Sequence, residues 1–152
     1  MFIVYHDVGG THSTIIAAAI HLNKLPMDMI PSKSEIESVP LFDRLEKKNI
    51  GRLIYHGQDE YHHAVYTISR QYHPQLVINA IQTVFDMIEE DKKNILCVDT
   101  SLSVNNWMRI GGASSRRLGL VGFGRPIVTY GTLKAYPTIV EIVKKTKLKI
   151  AP

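Results

Sequence analysis

MFIVYHDVGGTHSTIIAAAIHLN, residues 1–23, is the stretch whose reading decides the fold. Phe2, Ile3, Val4 and Tyr5 form a short apolar run with high β propensity. Gly9-Gly10 ends it. Thr11 or Ser13 then offers a side-chain oxygen that can cap a helix, because the first-turn N–H groups have no intrahelical partner. From Thr14 the chain is small and apolar through Ile15, Ile16, Ala17, Ala18, Ala19 and Ile20, so this helix can press closely on a sheet. Strand, glycine loop and helix N-terminus in that order build an anion site, with free N–H groups at the positive end of the helix dipole. A tight turn without a ligand is the simpler reading of the same residues.

The loop matches neither the P-loop pattern, which needs a lysine after its last glycine, nor the dinucleotide pattern G-x-G-x-x-G. Its spacing is closer to the phosphate loop of the low-molecular-weight tyrosine phosphatases. Laid over that loop, Asp7 falls near the nucleophile and His12 near its second neighbour. No cysteine or arginine lies here, so that chemistry does not carry over.

The rest of the chain bounds the answer. A length of 152 residues suits one domain, which buries roughly 68–70% of its unfolded surface. The composition, 45% hydrophobic and 21% charged, is that of a globular protein. No apolar run reaches the ~18 residues of a membrane span. No basic n-region precedes the first strand, so the expected location is the cytoplasm. A single cysteine, Cys97, excludes an internal disulfide and sits in an apolar run, where an inert thiol is expected. The net charge of +4 is mild, and Lys144, Lys145, Lys147 and Lys149 hold much of the excess. Lysines late in a helix complement its dipole, and no aromatics interleave with them, so nucleic acid is not an expected partner.

Along the chain, Ser32 and Glu35 read as a capping box opening a helix over 33–38. A further helix is expected over 41–48, ended by Gly51. Residues 52–57 and 61–69 read as an antiparallel hairpin around a turn at Gly57 to Glu60. Pro74 opens the clearest amphipathic helix, with Leu76, Val77, Ala80, Ile81, Val84, Phe85 and Ile88 on one stripe and a solvated turn over 89–93. Residues 94–99, NILCVD, form a strand without alternation, as expected where both faces are covered. Residues 104–118 read as a helix weakened by Gly111-Gly112. Residues 125–131, RPIVTYG, read as one more strand and 132–147 as the last helix. Strands alternating with helices give an α/β class: three layers, a largely parallel sheet with helices on both faces, and one β-hairpin, in a P-loop-like or phosphatase-like topology. Strands over 2–5, 95–98 and 127–129 are expected to be parallel neighbours.

Four blocks, YHDVGGTHSTIIAAAIHLNKLP, LFDRL, NWMRIGGASSRRLGL and GRPIVTYGTLKAYP, resemble a family of small proteins from spore-forming bacteria known only as a domain of unknown function. The resemblance runs over nearly the whole chain. It implies a single-domain cytoplasmic protein and no activity.

In open α/β sheets ligands bind beyond the carboxyl ends of the parallel strands. The expected site gathers His6, Asp7, Gly9, Gly10, Thr11, His12 and Ser13 from the first strand end. Asp99, Thr100 and Ser101 come from the second, and Tyr130, Gly131 and Thr132 from the third. Asp99 closes an apolar strand, where a carboxylate can hold Mg²⁺ through water, or can simply cap the next helical segment. Arg109, Arg116 and Arg117 are the arginines whose guanidinium forks match phosphate oxygens, although cations late in a helix also steady its dipole. Gly111-Gly112 either admits a ligand or breaks the helix. The adjacent His62 and His63 would point to opposite faces of a strand, so no metal centre is expected there. His6 is expected as a hydrogen-bonded residue under the loop, with His21, His56 and His73 at the surface or at caps.

Two functions fit. One is a phosphate- or nucleotide-binding domain, a phosphotransferase or phosphohydrolase. In it Gly9, Gly10, Thr11, His12 and Ser13 cradle phosphate, Asp99 and His12 serve the chemistry, and an arginine offsets charge. The other is a non-catalytic protein-interaction module that keeps the architecture without the chemistry.

Overall fold

The computed structural model describes residues 1–88 and 91–151, so Glu89 and Glu90 of the expected turn lie outside the described residues. β1 (Phe2–Asp7) leads through the glycine loop into α1 (Ser13–His21), every residue of which is buried. α2 (Lys33–Ser38) starts at the capping box, with Ser32 Oγ accepting from Glu35 N–H and Glu35 Oε2 accepting from Ser32 N–H. β2 (Ile54–Gln58) and β3 (Ala64–Ser69) form the hairpin, α3 (Pro74–Met87) comes next, and β4 (Ile95–Asp99) is the last strand. α4 (Asn106–Gly112) runs on as a π-helical turn over Ala113–Arg117, and α5 (Val121–Ile150) ends the chain.

The sheet order is β2-β3-β1-β4. β3, β1 and β4 are parallel, with Phe2 level with Ala64 on one side and Ile95 on the other. β2 runs antiparallel to β3. The fold is thus α/β with a mostly parallel open sheet. Ile3 and Tyr5 point to the face that α1 covers. Phe2, on the opposite face by the two-residue period of a strand, meets Phe85 of α3 edge-on with ring centroids 5.4 Å apart. The core is the α1–α5 side: Ile3, Tyr5, Ile16, Ile20, Val65 and Ile139 are all fully buried there.

Four expectations are corrected. Residues 127–129 are not a strand. They lie in α5, and β3 takes the place expected for them beside β1. Tyr130, Gly131 and Thr132 therefore end no strand. The reason is helix packing. Gly124 and Gly131 are two turns apart on one face, and a Cβ would stand 2.4 Å from Ser115 N and 2.7 Å from Met108 N, respectively. Only bare backbone allows α5 this close to α4, and that contact overrides the β propensity of Ile127, Val128 and Thr129. Second, residues 41–48 form turns and one 3₁₀ turn, Lys47–Asn49, because Leu41 and Asp43 have φ of 68° and 51°, which no helix accepts. Third, β3 begins at Ala64 and not at Tyr61. Asp59 Oδ1 accepts the N–H groups of Tyr61 and His63 and keeps 59–63 turned. Fourth, no residue of α3 is buried, and Leu76 is 70% exposed, although the helix and its stripe are where expected.

Candidate functional site

The carboxyl ends of β1, β3 and β4 converge, and a cleft of roughly 880 Å³ opens over them. Its floor is the glycine loop and its walls are 45–50, the segment after β3, and α4 with its π-helical turn. Gly9, Thr11, His12, Arg109 and Arg116, all expected at the site, line it.

The loop is shaped by Asp7. Its carboxylate accepts the Gly10 N–H and the Ser13 hydroxyl, and Ser13 Oγ also lies 2.9 Å from Thr100 Oγ1. The expected cap of α1 by Thr11 or Ser13 does not form. His12 occupies the cap position without a side-chain hydrogen bond, and Ser13 is the first helical residue, sealed behind the loop. Gly10 has φ of 67°, and a Cβ there would stand 2.7 Å from Ser69 N, so it is the tight turn and not part of the cleft surface. The first intrahelical bond runs from Ile16 N–H to His12 O at 3.0 Å. Among the described residues, the N–H groups of Thr11, His12, Ser13 and Thr14 meet no protein acceptor. Thr11, only 6% exposed on the cleft wall, also has a hydroxyl without a partner. A buried orphan hydroxyl is uncommon and calls for a water or ligand oxygen.

His12 is held from three sides. Nε2 lies 3.1 Å from Asp43 Oδ1, Phe42 meets the ring edge-on, and Gly112 leaves open the space where a Cβ would stand 2.8 Å from Cε1 and 3.4 Å from Nδ1. Asp43 is fully buried. Its Oδ2 accepts from Ser115 Oγ at 2.6 Å and Arg125 Nε at 3.2 Å. Burial opposes its ionisation, but the hydrogen bonds from His12, Ser115 and Arg125 outweigh that, holding its carboxyl below the usual range. A carboxylate so placed fixes the Nε2–H tautomer of His12 and leaves Nδ1 as an acceptor.

Arg109, Arg116 and Lys47 line the cleft together with the carboxylates of Asp7 and Glu46. Arg109 is exposed on its wall, and its guanidinium makes no hydrogen bond or ion pair among the described residues. Arg116 donates to the carbonyls of Asp43, at 3.0 Å, and Leu45, which orient the guanidinium without neutralising it. Lys47 lines the cleft too, whereas Glu46 is paired to Lys48 at 2.8 Å. The side chain of Arg117 lies outside the described residues.

Asp99 stands apart. Arg70 Nη2 approaches its Oδ2 at 3.2 Å, its Oδ1 accepts the Ser101 N–H at 2.8 Å, and it does not line the cleft. Burial opposes its ionisation, and the Ser101 bonds with the charge of Arg70 outweigh that, so its carboxyl is below the usual range. Arg70 also donates through Nε to His6 Nδ1 at 3.1 Å, as fits an imidazole held neutral chiefly by burial. The chemistry of this carboxylate is that of an ion pair, and among the described residues no three His, Cys, Asp or Glu side chains converge as metal ligands.

The functional candidates that the sequence did not single out are Asp43, Lys47, Ser115 and Arg125. Asp43 lies thirty-one positions from His12 and nothing in its spacing marks it. His21, expected near the surface, is fully buried between Tyr5 Oη at 2.7 Å and Asp59 Oδ2 at 3.1 Å.

No described helix is long and apolar enough to cross a membrane. Comparison with curated proteins and with solved structures finds no match. A family model described as "Protein of unknown function (DUF3189)" matches residues 2–148, and the chain belongs to that family.

Proposed function

We propose that the cleft binds a phosphorylated small molecule, with a nucleotide as the best-fitting class, and that the protein is a phosphotransferase or phosphohydrolase. One observation carries this reading: Thr11 and His12, whose N–H groups are unpaired, the orphan Thr11 hydroxyl, and Arg109 and Arg116 all border one cleft. Helix N-termini present free N–H groups to anions, and guanidinium forks match the geometry of phosphate oxygens. Ile50, Val104 and Met108 supply the apolar wall against which the rest of such a ligand would pack. Mg²⁺, if used, would arrive with the ligand's phosphates, since Asp99 is committed to Arg70 and Ser101.

Asp7 favours the second reading, a non-catalytic interaction module, because its carboxylate already takes two donors of the loop and places a negative charge before the helix. A thermal-shift panel of nucleotides, sugar phosphates and inorganic phosphate separates the two. A bound phosphate ester adds about 2.7 kcal/mol of stability at 100 times its dissociation constant. No shift from any phosphate ester at millimolar concentration would leave the interaction module as the better reading.

A further inference from the structure

We propose that His12 is a phosphoryl-accepting nucleophile acting through Nδ1, an inference that rests on the cleft receiving phosphate. Asp43 Oδ1, 3.1 Å from Nε2, fixes which nitrogen carries the proton. Asp43 cannot swing away, because Ser115 and Arg125 hold its other oxygen and its own N–H donates to Thr11 O at 3.1 Å. Nδ1 has no protein partner among the described residues, and His12 lines the cleft. Gly112 lies beside that nitrogen on the cleft wall, where a Cβ would stand 3.4 Å from Nδ1. An aspartate in the left-handed region, an imidazole clamped on one nitrogen and a glycine facing the other form a costly arrangement for a merely structural histidine.

The step balances without a co-reactant beyond water. The Nδ1 lone pair attacks phosphorus and an N–P bond forms. The bond from phosphorus to its leaving atom breaks, and that atom departs with the electron pair and takes a proton from solvent. The ring gains positive charge, which the Asp43 carboxylate at Nε2–H offsets, while the start of α1, Arg109 and Arg116 face the phosphoryl oxygens. Water then attacks phosphorus, the N–P electrons return to Nδ1, and the water proton passes to solvent. An acceptor hydroxyl in place of water makes the same chemistry a transfer. Asp43 is a positioning residue, since it acts only through His12.

The test uses phosphoramidate on the whole chain, with labelled peptides read by mass spectrometry under alkaline conditions and acid lability as the signature of phosphohistidine. His62 and His73 are exposed and serve as internal references. His12 should be labelled about tenfold faster than either, despite its burial, as expected of an activated nucleophile. Asp43→Asn and Gly112→Ala should each slow labelling of His12 about tenfold or more, the first through the tautomer and the second through access, leaving His62 and His73 unchanged. The nearest atoms to a Cβ at Gly112 are those of the His12 side chain, so Gly112→Ala keeps the test open if Asp43→Asn does not fold. Labelling of His12 no faster than of His62 and His73, or undiminished in a folded Gly112→Ala variant, overturns the proposal. If inorganic phosphate still raises the melting temperature in that case, only the nucleophile falls. If it does not, the phosphate-binding reading falls as well.

Discussion

Asp43 donates its N–H to the carbonyl of Thr11 at 3.1 Å while its carboxylate meets the imidazole of the next residue, His12, at the same distance. One buried aspartate therefore clamps both the backbone and the side chain at the start of α1. The clamp explains the φ of 51° at Asp43: the strained backbone is what turns N–H and carboxylate toward the loop together.

Removing that carboxylate strands three donors, His12, Ser115 and Arg125. Asp43→Ala should cost about 3–5 kcal/mol, the usual result of breaking a buried charged network on one side only. Urea denaturation measures it. A cost below about 1 kcal/mol would show that the arginine and histidine find water instead.

Gly10→Val should cost about 3 kcal/mol or more, since a β-branched residue is strained at φ 67° and its Cβ would overlap Ser69 N. The overlap is with backbone, which cannot step aside. An unchanged urea midpoint would show that the loop relaxes into another turn.

The parts of the fold that could be read from the sequence carry local signals. The capping box at Ser32 and Glu35, Pro74 at the start of α3, and the order strand, glycines, helix in residues 1–21 each act within a few residues. What failed depends on distant contacts. Residues 125–131 have a strand's composition, and only the fit of Gly124 and Gly131 against α4 makes them helical. A trace was present, because Gly124, Val128, Gly131 and Ala135 recur at helical steps, but Pro126 masked it. At the site, His12, Arg109 and Arg116 were legible as chemistry-bearing types near a strand end or a glycine pair. Asp43 was not, because a lone aspartate in a turn is almost always a surface residue, and only the closed structure buries it.

Acid should weaken the fold through its buried and half-buried histidines, His6, His21 and His56. His56 is lowered from 6.5 to about 4, by burial first and then by the charge of Lys24. Its folded value lies below its unfolded one, so between about 4 and 6.5 the unfolded chain binds more protons. The contribution is complete above 6.5 and is lost as pH falls toward 4. His6 and His21 are lowered in the same direction, each chiefly by burial, and add to the slope. His56→Gln should keep a bond to Thr67 and flatten the dependence of urea midpoint on pH in this window. A slope identical to that of the unaltered protein would mean that His56 titrates normally in the fold.

Arg109 and Arg116 should separate binding from stability. The Arg109 guanidinium makes no contact that folding needs among the described residues, so Arg109→Gln should leave the urea midpoint within about 0.5 kcal/mol, as surface substitutions usually do. If its guanidinium meets a phosphate in the cleft, the same change should weaken a nucleotide by about 1.5–3 kcal/mol, the worth of a charged hydrogen bond. Arg116 holds the carbonyls of Asp43 and Leu45, so Arg116→Gln should cost about 1–3 kcal/mol of stability as well as affinity. Ser13→Ala gives the contrast: its hydroxyl is spent on Asp7 and Thr100 behind the loop, so the loss should fall on stability and leave affinity nearly untouched. Calorimetric titration with the nucleotide that gives the largest thermal shift, run on all three variants, reads both quantities. An affinity that drops for Ser13→Ala but holds for Arg109→Gln would place the ligand away from the α4 wall, and the cleft would not be the phosphate site.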